Sequence, residues 1–136
     1  MNAPDPAKIK PTDSEVARVF REGCQAGELR LQQCASCELY QFYPRIICSH
    51  CNADELHWKA VSGRGKIASY TVVRRGISPA YPAPYVVALI DLQEGPRMMS
   101  NVVGCDPEQV RVGQPVQATF EPWGAEHVLP VFTLVE

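Results

Sequence analysis

Two cysteine pairs constrain this chain more than any other feature. Cys34-Ala35-Ser36-Cys37 and Cys48-Ser49-His50-Cys51 are both C-x-x-C, with ten residues between them. A C-x-x-C puts two thiolates on one tight turn. Two such knuckles at the ends of a short hairpin complete a tetrahedron of soft sulfur ligands, the geometry zinc takes in closed structural sites. One pair alone is a weak signal, whereas two at this separation are a strong one. Three other readings compete. Disulfides are rarely kept in an intracellular chain. A redox C-x-x-C comes as a single pair beside a βαβ pattern. A single iron on four thiolates uses the same ligands and stays open. The expectation is one zinc per chain on Cys34, Cys37, Cys48 and Cys51, with His50 an exposed spacer because Cys48 and Cys51 already fill that side.

The rest of the composition sets outer limits. A chain of 136 residues suits one compact domain or two very small ones. A formal charge of −2 supplies no bulk basic field to draw in nucleic acid. Met1-Asn2-Ala3-Pro4-Asp5-Pro6 lacks the charged-then-apolar order of a secretory signal, and no apolar run reaches the length of a membrane span. A soluble cytoplasmic protein with no membrane contact is expected.

The first eleven residues carry three prolines and read as a mobile tail. Thr12-Asp13-Ser14-Glu15 then has the form of a capping box, with Thr12 as N-cap. Val16, Val19, Phe20 and Gly23 follow at helical spacing, and Gly27 is the stop. Cys24 shares the face of Phe20 and reads as a small buried hydrophobe. Leu29-Arg30-Leu31-Gln32 alternates like a strand entering the first knuckle. Between the knuckles, Leu39 to Ile47 is aromatic and branched, more than so small a unit can bury. Metal ligation stabilises such a unit where a core cannot.

Val61-Ser62-Gly63-Arg64-Gly65 reads as a joint. Beyond it the pattern is strand and turn: Lys66–Arg74, Tyr85–Leu92, Arg97–Val103, Pro115–Phe120 and Val128–Val135. Tyr85–Leu92 is apolar enough for a strand buried on both sides. Asp106-Pro107-Glu108 starts a short helix or 3₁₀ turn that Gly113 ends. Five strands with one helical interruption between the third and fourth predict a small Greek-key barrel of the OB type. The predicted fold is therefore mainly β. It divides into an N-terminal tail and helix over 1–28, a zinc ribbon over 29–60 and an OB-fold barrel over 61–136.

These residues, taken in order, resemble a known family: the proteins with a rubredoxin-like zinc ribbon and an OB-fold, catalogued as domain of unknown function 35. The resemblance rests on Phe20-Arg21-Glu22-Gly23, Gly27-Glu28-Leu29, the four paired cysteines with Pro44-Arg45 between them, and Val61 to Gly65. It continues through Tyr70-Thr71-Val72-Val73, Pro84 to Ala88, Asn101 to Pro107, Val112-Gly113 and Pro115-Val116. It implies a non-catalytic accessory subunit of acyl-CoA chemistry, paired with a thiolase-like or hydratase-like enzyme. In such complexes the barrel lies beside the partner's active site and contributes to the CoA channel, while the ribbon docks. The family usually has glycine after the second cysteine of each knuckle, where this chain has Glu38 and Asn52. Asn tolerates the left-handed conformation needed there; Glu does so less readily.

The residues themselves agree with a chain that does no catalysis. Acyl transfer through a thioester needs a nucleophile, a base and an oxyanion hole. Cys105 stands beside Asp106, whose charge opposes thiolate formation, and His57 and His127 lie in different modules, neither with an obvious orienting acid. A CoA site wants arginines, an aromatic face and a groove. Arg74 and Arg75, with Tyr81 in the proline-rich loop after them, are the candidates. Single-stranded nucleic acid is the alternative ligand, supported only by Arg64, Lys66, Arg74 and Arg75; a pure assembly scaffold is the third reading. Phe20, Phe42 and Tyr43 are the expected partner contacts, because the helix and ribbon offer more apolar side chains than the barrel can cover.

Overall fold

The computed structural model describes residues 8–135. One helix precedes two β-sheets. Helix α1 spans Arg18–Ala26, and a three-stranded antiparallel sheet follows, with β1 (Arg30–Cys34) between β2 (Tyr40–Gln41) and β3 (Leu56–Ala60). The second sheet holds β4 (Arg64–Val73), β5 (Tyr85–Leu92), β6 (Arg97–Val103), β7 (Pro115–Trp123) and β8 (His127–Leu134). Its order is β4-β5-β6-β8-β7, and β7 returns to pair with β4, which closes a barrel. All its pairings are antiparallel except β6 with β8, a parallel stitch of two residue pairs. A 3₁₀ turn, Pro107–Gln109, interrupts the strands between β6 and β7, with the Asp106 carboxylate accepting from the Glu108 N–H. This is the OB arrangement that the strand count and the interruption predict. The 3₁₀ turn ends at Gln109, and Gly113 makes a separate turn, its N–H donating to the Ile67 carbonyl at 2.8 Å.

Four expectations need correction or narrowing. Helix α1 starts at Arg18, not at Thr12, and no side chain caps it. The Ser14 hydroxyl accepts the Ala17 N–H at 3.2 Å instead, so the second hydroxyl residue of the segment takes the donor in a local turn. Glu15 does not reach back to a cap but pairs with Arg18 at 2.8 Å. At the other end Gly27 is left-handed, and the bonds Gly27 N–H to Cys24 O and Glu28 N–H to Gly23 O close the helix as expected of a glycine stop.

The second correction concerns β5. Val86, Ala88, Ile90 and Leu92 are buried, while Tyr85, Val87 and Leu89 are half-buried and Asp91 is exposed. A barrel strand has one inner and one outer face, so its side chains alternate even when most are apolar. The third concerns the tail: residues 1–7 of it lie outside the described residues, but Lys8 and Ile9 lie against the barrel. The fourth concerns the histidines. Folding brings Asp13 to 3.3 Å from His127 Nε2, and Glu55 lies 3.4 Å from His57 Nε2.

One hydrophobic cluster runs through the whole molecule. Phe20 and Cys24 of α1, with Leu29 and Leu31 of the ribbon segment, join Ile67, Val86, Ile90, Val116 and Phe132 of the barrel. The joint is tied to both sides, since Val61 N–H donates to Leu29 O and Ala118 N–H to Gly63 O. Gly65 is required where β4 meets β5: a Cβ there would stand 2.7 Å from the Asp91 carbonyl oxygen. No described helix is long and apolar enough to cross a membrane.

Candidate metal centre and apolar cleft

The two knuckles are built alike. Each first cysteine accepts, at its carbonyl, the N–H of the residue after the second: Glu38 to Cys34 at 2.9 Å and Asn52 to Cys48 at 3.0 Å. Each also donates its N–H to the residue beyond, Cys34 to Leu39 O and Cys48 to Ala53 O. Such a turn needs a left-handed residue, and both Glu38 and Asn52 take φ 65°. Glu38 thus accepts a conformation that costs a side chain about 1–2 kcal/mol.

The knuckles face each other and bring four sulfurs together, all within 4.8 Å of one another. Cys34 and Cys51 Sγ are 3.6 Å apart, as are Cys37 and Cys48 Sγ. A disulfide would place them at about 2.0 Å, so these thiols are not bridged. Zn–S bonds of about 2.3 Å on a regular tetrahedron space the sulfurs about 3.8 Å apart, which this arrangement matches. Backbone N–H groups of Cys37 and His50 point at Cys34 and Cys48 Sγ, 3.5 and 3.3 Å away, as suits thiolates. Cys34 and Cys48 are buried and Cys51 is exposed, so the site sits at the surface with one closed side. His50 Nε2 lies 3.2 Å from the Tyr40 carbonyl oxygen, outside the sulfur cluster.

Behind the cluster lies a pair of buried glutamines that the sequence does not advertise. Gln32 and Gln41 are 5% and 3% exposed. Gln41 Nε2 donates to Gln32 Oε1 at 2.7 Å, and Gln41 Oε1 accepts the Ser49 N–H at 2.8 Å. Gln32 accepts the Arg45 N–H at 2.9 Å and donates to the Arg45 carbonyl at 2.8 Å. Two amide side chains therefore satisfy the main chain of the loop joining the knuckles, where no strand partner can.

Of the three expected partner contacts, Phe20 of α1 and Phe42 of the ribbon pack inward, while Tyr43 stays exposed. Phe20 is buried, with its ring 5.6 Å from Phe42 and 6.5 Å from Tyr43; Phe42 is half-buried. Exposed apolar surface remains at Leu39, Tyr43, Ile46 and Ile47, with Ile46 74% exposed.

An apolar cleft of about 500 Å³ opens between the ribbon side and the barrel, lined by Phe20, Phe42, Val87, Met98 and Leu129 among others. Tyr81 lines it, whereas Arg74 and Arg75 do not. Arg74 instead pairs with Glu108 at 2.6 Å on the surface, and Arg75 is exposed. Trp123, absent from the sequence candidates, is the second aromatic of the cleft, its ring 5.8 Å from Tyr81. The only hint was a large aromatic between Pro122 and Gly124, in the segment that separates the last two predicted strands. Tyr70 is half-buried and packs against the core.

Neither cysteine outside the cluster is poised for chemistry. Burial pushes the Cys24 thiol up to about 11. Cys105 is also raised, by burial first and then by the charge of Asp106. Both are expected to resist iodoacetamide at pH 8 in the metal-loaded protein, and Cys105→Ala to leave the turnover of any complex unchanged. Rapid alkylation at Cys105, with loss of turnover on its replacement, would make it a nucleophile.

A rubredoxin-like ribbon of four cysteines joined to an OB barrel defines a metal-binding, two-module class of protein. The family models sharpen that: residues 21–57 match the rubredoxin-like zinc ribbon domain of ChsH2, and residues 58–121 match the C-terminal OB-fold domain of ChsH2. The chain belongs to this family of zinc-ribbon and OB-fold proteins. It is 36% identical over 109 residues to a DUF35 domain-containing scaffold protein of Methanothermobacter thermautotrophicus, covering 79% of this chain and 82% of that one. It is 32% identical over 129 residues to a Thermomonospora curvata protein named "Probable enoyl-CoA hydratase alpha subunit". That match covers 95% of this chain but spans only 40% of the subunit's length. Among solved structures, a chain of one titled "Ltp2-ChsH2(DUF35) aldolase" superposes with a TM-score of 0.84 at 32% identity, over 92% of this chain and 98% of that one.

Proposed function

We propose that this chain is a non-catalytic, zinc-bearing accessory subunit of an acyl-CoA-processing enzyme. It docks on a thiolase- or aldolase-type partner, or on a hydratase, and its barrel completes the partner's CoA channel. The observation that carries this reading is the match, over nearly the whole of both chains, to a chain of an aldolase structure. The relative named as a scaffold and the one named as a hydratase subunit point the same way. Zinc is the ion because a closed set of four thiolates at this spacing fits it, and reduced cytoplasmic thiols stay free to bind it. The ribbon serves as the docking element. Leu39, Tyr43, Ile46 and Ile47 are exposed apolar side chains within the ten residues between the two knuckles, the kind of surface a partner covers. Arg75, exposed on the loop that leads to Tyr81, is available to a CoA phosphate.

The test is co-expression with a thiolase-, aldolase- or hydratase-like enzyme of the same genome. The two chains are expected to co-purify with one zinc per copy of this chain, and the complex, not this chain alone, to turn over acyl-CoA. Because Phe20 and Phe42 pack within the chain, Ile46→Glu probes the contact more cleanly. It should weaken assembly by at least about tenfold while the zinc content stays the same, as expected for a central apolar anchor. A chain that stays monomeric and leaves the activity of that enzyme unaltered would refute the reading.

A further inference from the structure

At the mouth of the cleft, two aromatic side chains grip one residue of the chain's own N-terminal segment by its backbone alone. The Tyr81 hydroxyl oxygen accepts the Ile9 N–H at 2.7 Å, and the Trp123 Nε1–H donates to the Ile9 carbonyl at 2.7 Å. The Ile9 side chain takes little part, being 68% exposed. Lys8 adds a third contact, its ammonium 4.4 Å from the centre of the Trp123 ring. Lys8, Tyr81 and Trp123 all line the cleft. An acceptor and a donor so placed read an N–H and a C=O on either side of a short carbon spacer. They do not read a side chain.

We propose that Tyr81 and Trp123 form an amide-reading clamp for the pantetheine arm of an acyl-CoA, and that residues 8 and 9 occupy it as a strap until that arm displaces them. This rests on the acyl-CoA reading above and adds to it a position and a gate. The β-alanyl unit of pantetheine carries an N–H and a C=O separated by two methylenes, the nearest chemical relative of the pair that Ile9 presents. The arm is otherwise a slender, largely apolar chain. The cleft beneath the clamp has the volume and the apolar lining typical of small-molecule sites. The strap is held by two exposed hydrogen bonds and one cation–π contact between half-buried residues, each weak, so a ligand that also fills the cleft displaces it.

The test uses the full-length, zinc-loaded chain, with its two indole N–H resonances, from Trp58 and Trp123, assigned through Trp123→Phe. Pantetheine is expected to move the Trp123 resonance and leave Trp58 in place. Ile9→Pro keeps the chain whole but removes the N–H that Tyr81 accepts, so pantetheine should bind that variant about fivefold more tightly, the effect of one net hydrogen bond. Adding Tyr81→Phe to Ile9→Pro should weaken pantetheine binding by a similar factor. Equal pantetheine affinity in wild type and Ile9→Pro would overturn the strap. Binding of CoA, by the chain or its complex, with the Trp123 resonance unmoved would overturn the clamp while leaving the accessory-subunit reading intact. A shift caused by the partner enzyme alone and indifferent to pantetheine would assign the clamp to a partner peptide, and so overturn the proposal. If neither CoA nor pantetheine binds the chain or its complex, both the clamp and the acyl-CoA reading fall.

Discussion

Cys48→Ser is expected to leave the ribbon without a fold. Structural zinc in small domains contributes on the order of 10 kcal/mol of apparent folding free energy, and a serine hydroxyl is a poor substitute for a thiolate. The part between the knuckles has the least other support: β2 is two residues long, and the loop from Pro44 to Ile47 has no strand partner. The two tryptophans separate the outcomes. Trp58 lies on β3, opposite Gln32, and Trp123 lies on β7. The variant should lose its metal by elemental analysis and lose the ordered Trp58 signal. The Trp123 environment should persist at reduced thermal stability, because the barrel keeps its own closed ring of pairings but loses the Leu29 and Leu31 side of its core. A Cys48→Ser protein with an ordered ribbon and no metal would show that the four thiols are not what folds it.

Gln41→Leu should cost about 1–2 kcal/mol although it exchanges side chains of similar size. The change takes the side-chain acceptor from the N–H of Ser49, an exposed residue next to buried Cys48, and takes from the buried Gln32 Oε1 one of its two donors. Each hydrogen bond lost costs roughly 0.5–1.5 kcal/mol net. Because the amide that loses its acceptor belongs to the second knuckle, metal affinity should fall along with stability. Competition with a chelator and thermal unfolding measure the two together. A Gln41→Leu chain that melts and holds zinc like the parent would show that the loop between the knuckles does not depend on this network.

The contrast between the cysteines and the glutamines shows what could be read before folding. Ligand spacing is a local covalent fact, and two knuckles ten residues apart leave a metal few alternatives. The barrel strands were legible for a similar reason, since β-prone runs bounded by turn residues are local, although the alternating burial of β5 was not legible in its apolar run. Gln32 and Gln41 were not legible, because their partners are backbone groups of a loop whose path only the closed ribbon defines. Nor was the start of α1, where Ser14 competes with Thr12 for the same kind of bond. The clamp was hidden more deeply. Ile9 is 72 residues from Tyr81 and 114 from Trp123, and no local pattern links them. Asp13 meets His127 across another 114 residues, which is why an orienting acid for that histidine could not be foreseen.

The hydrophobic cluster that runs from Phe20 through Leu31 to Phe132 also limits how this chain can be recombined with its relatives. Modular proteins invite cutting at the glycine-rich joint, and here such a cut looks natural, just before β4. Yet Leu29 and Leu31 sit at 2% and 1% exposure in the same packed interior as Ile90 and Val116. A ribbon transplanted from another family member would bring side chains of other volumes to those positions. Every such graft is therefore also a core substitution in the barrel, and a chimera will work best when Phe20, Leu29 and Leu31 travel with the barrel they were shaped against.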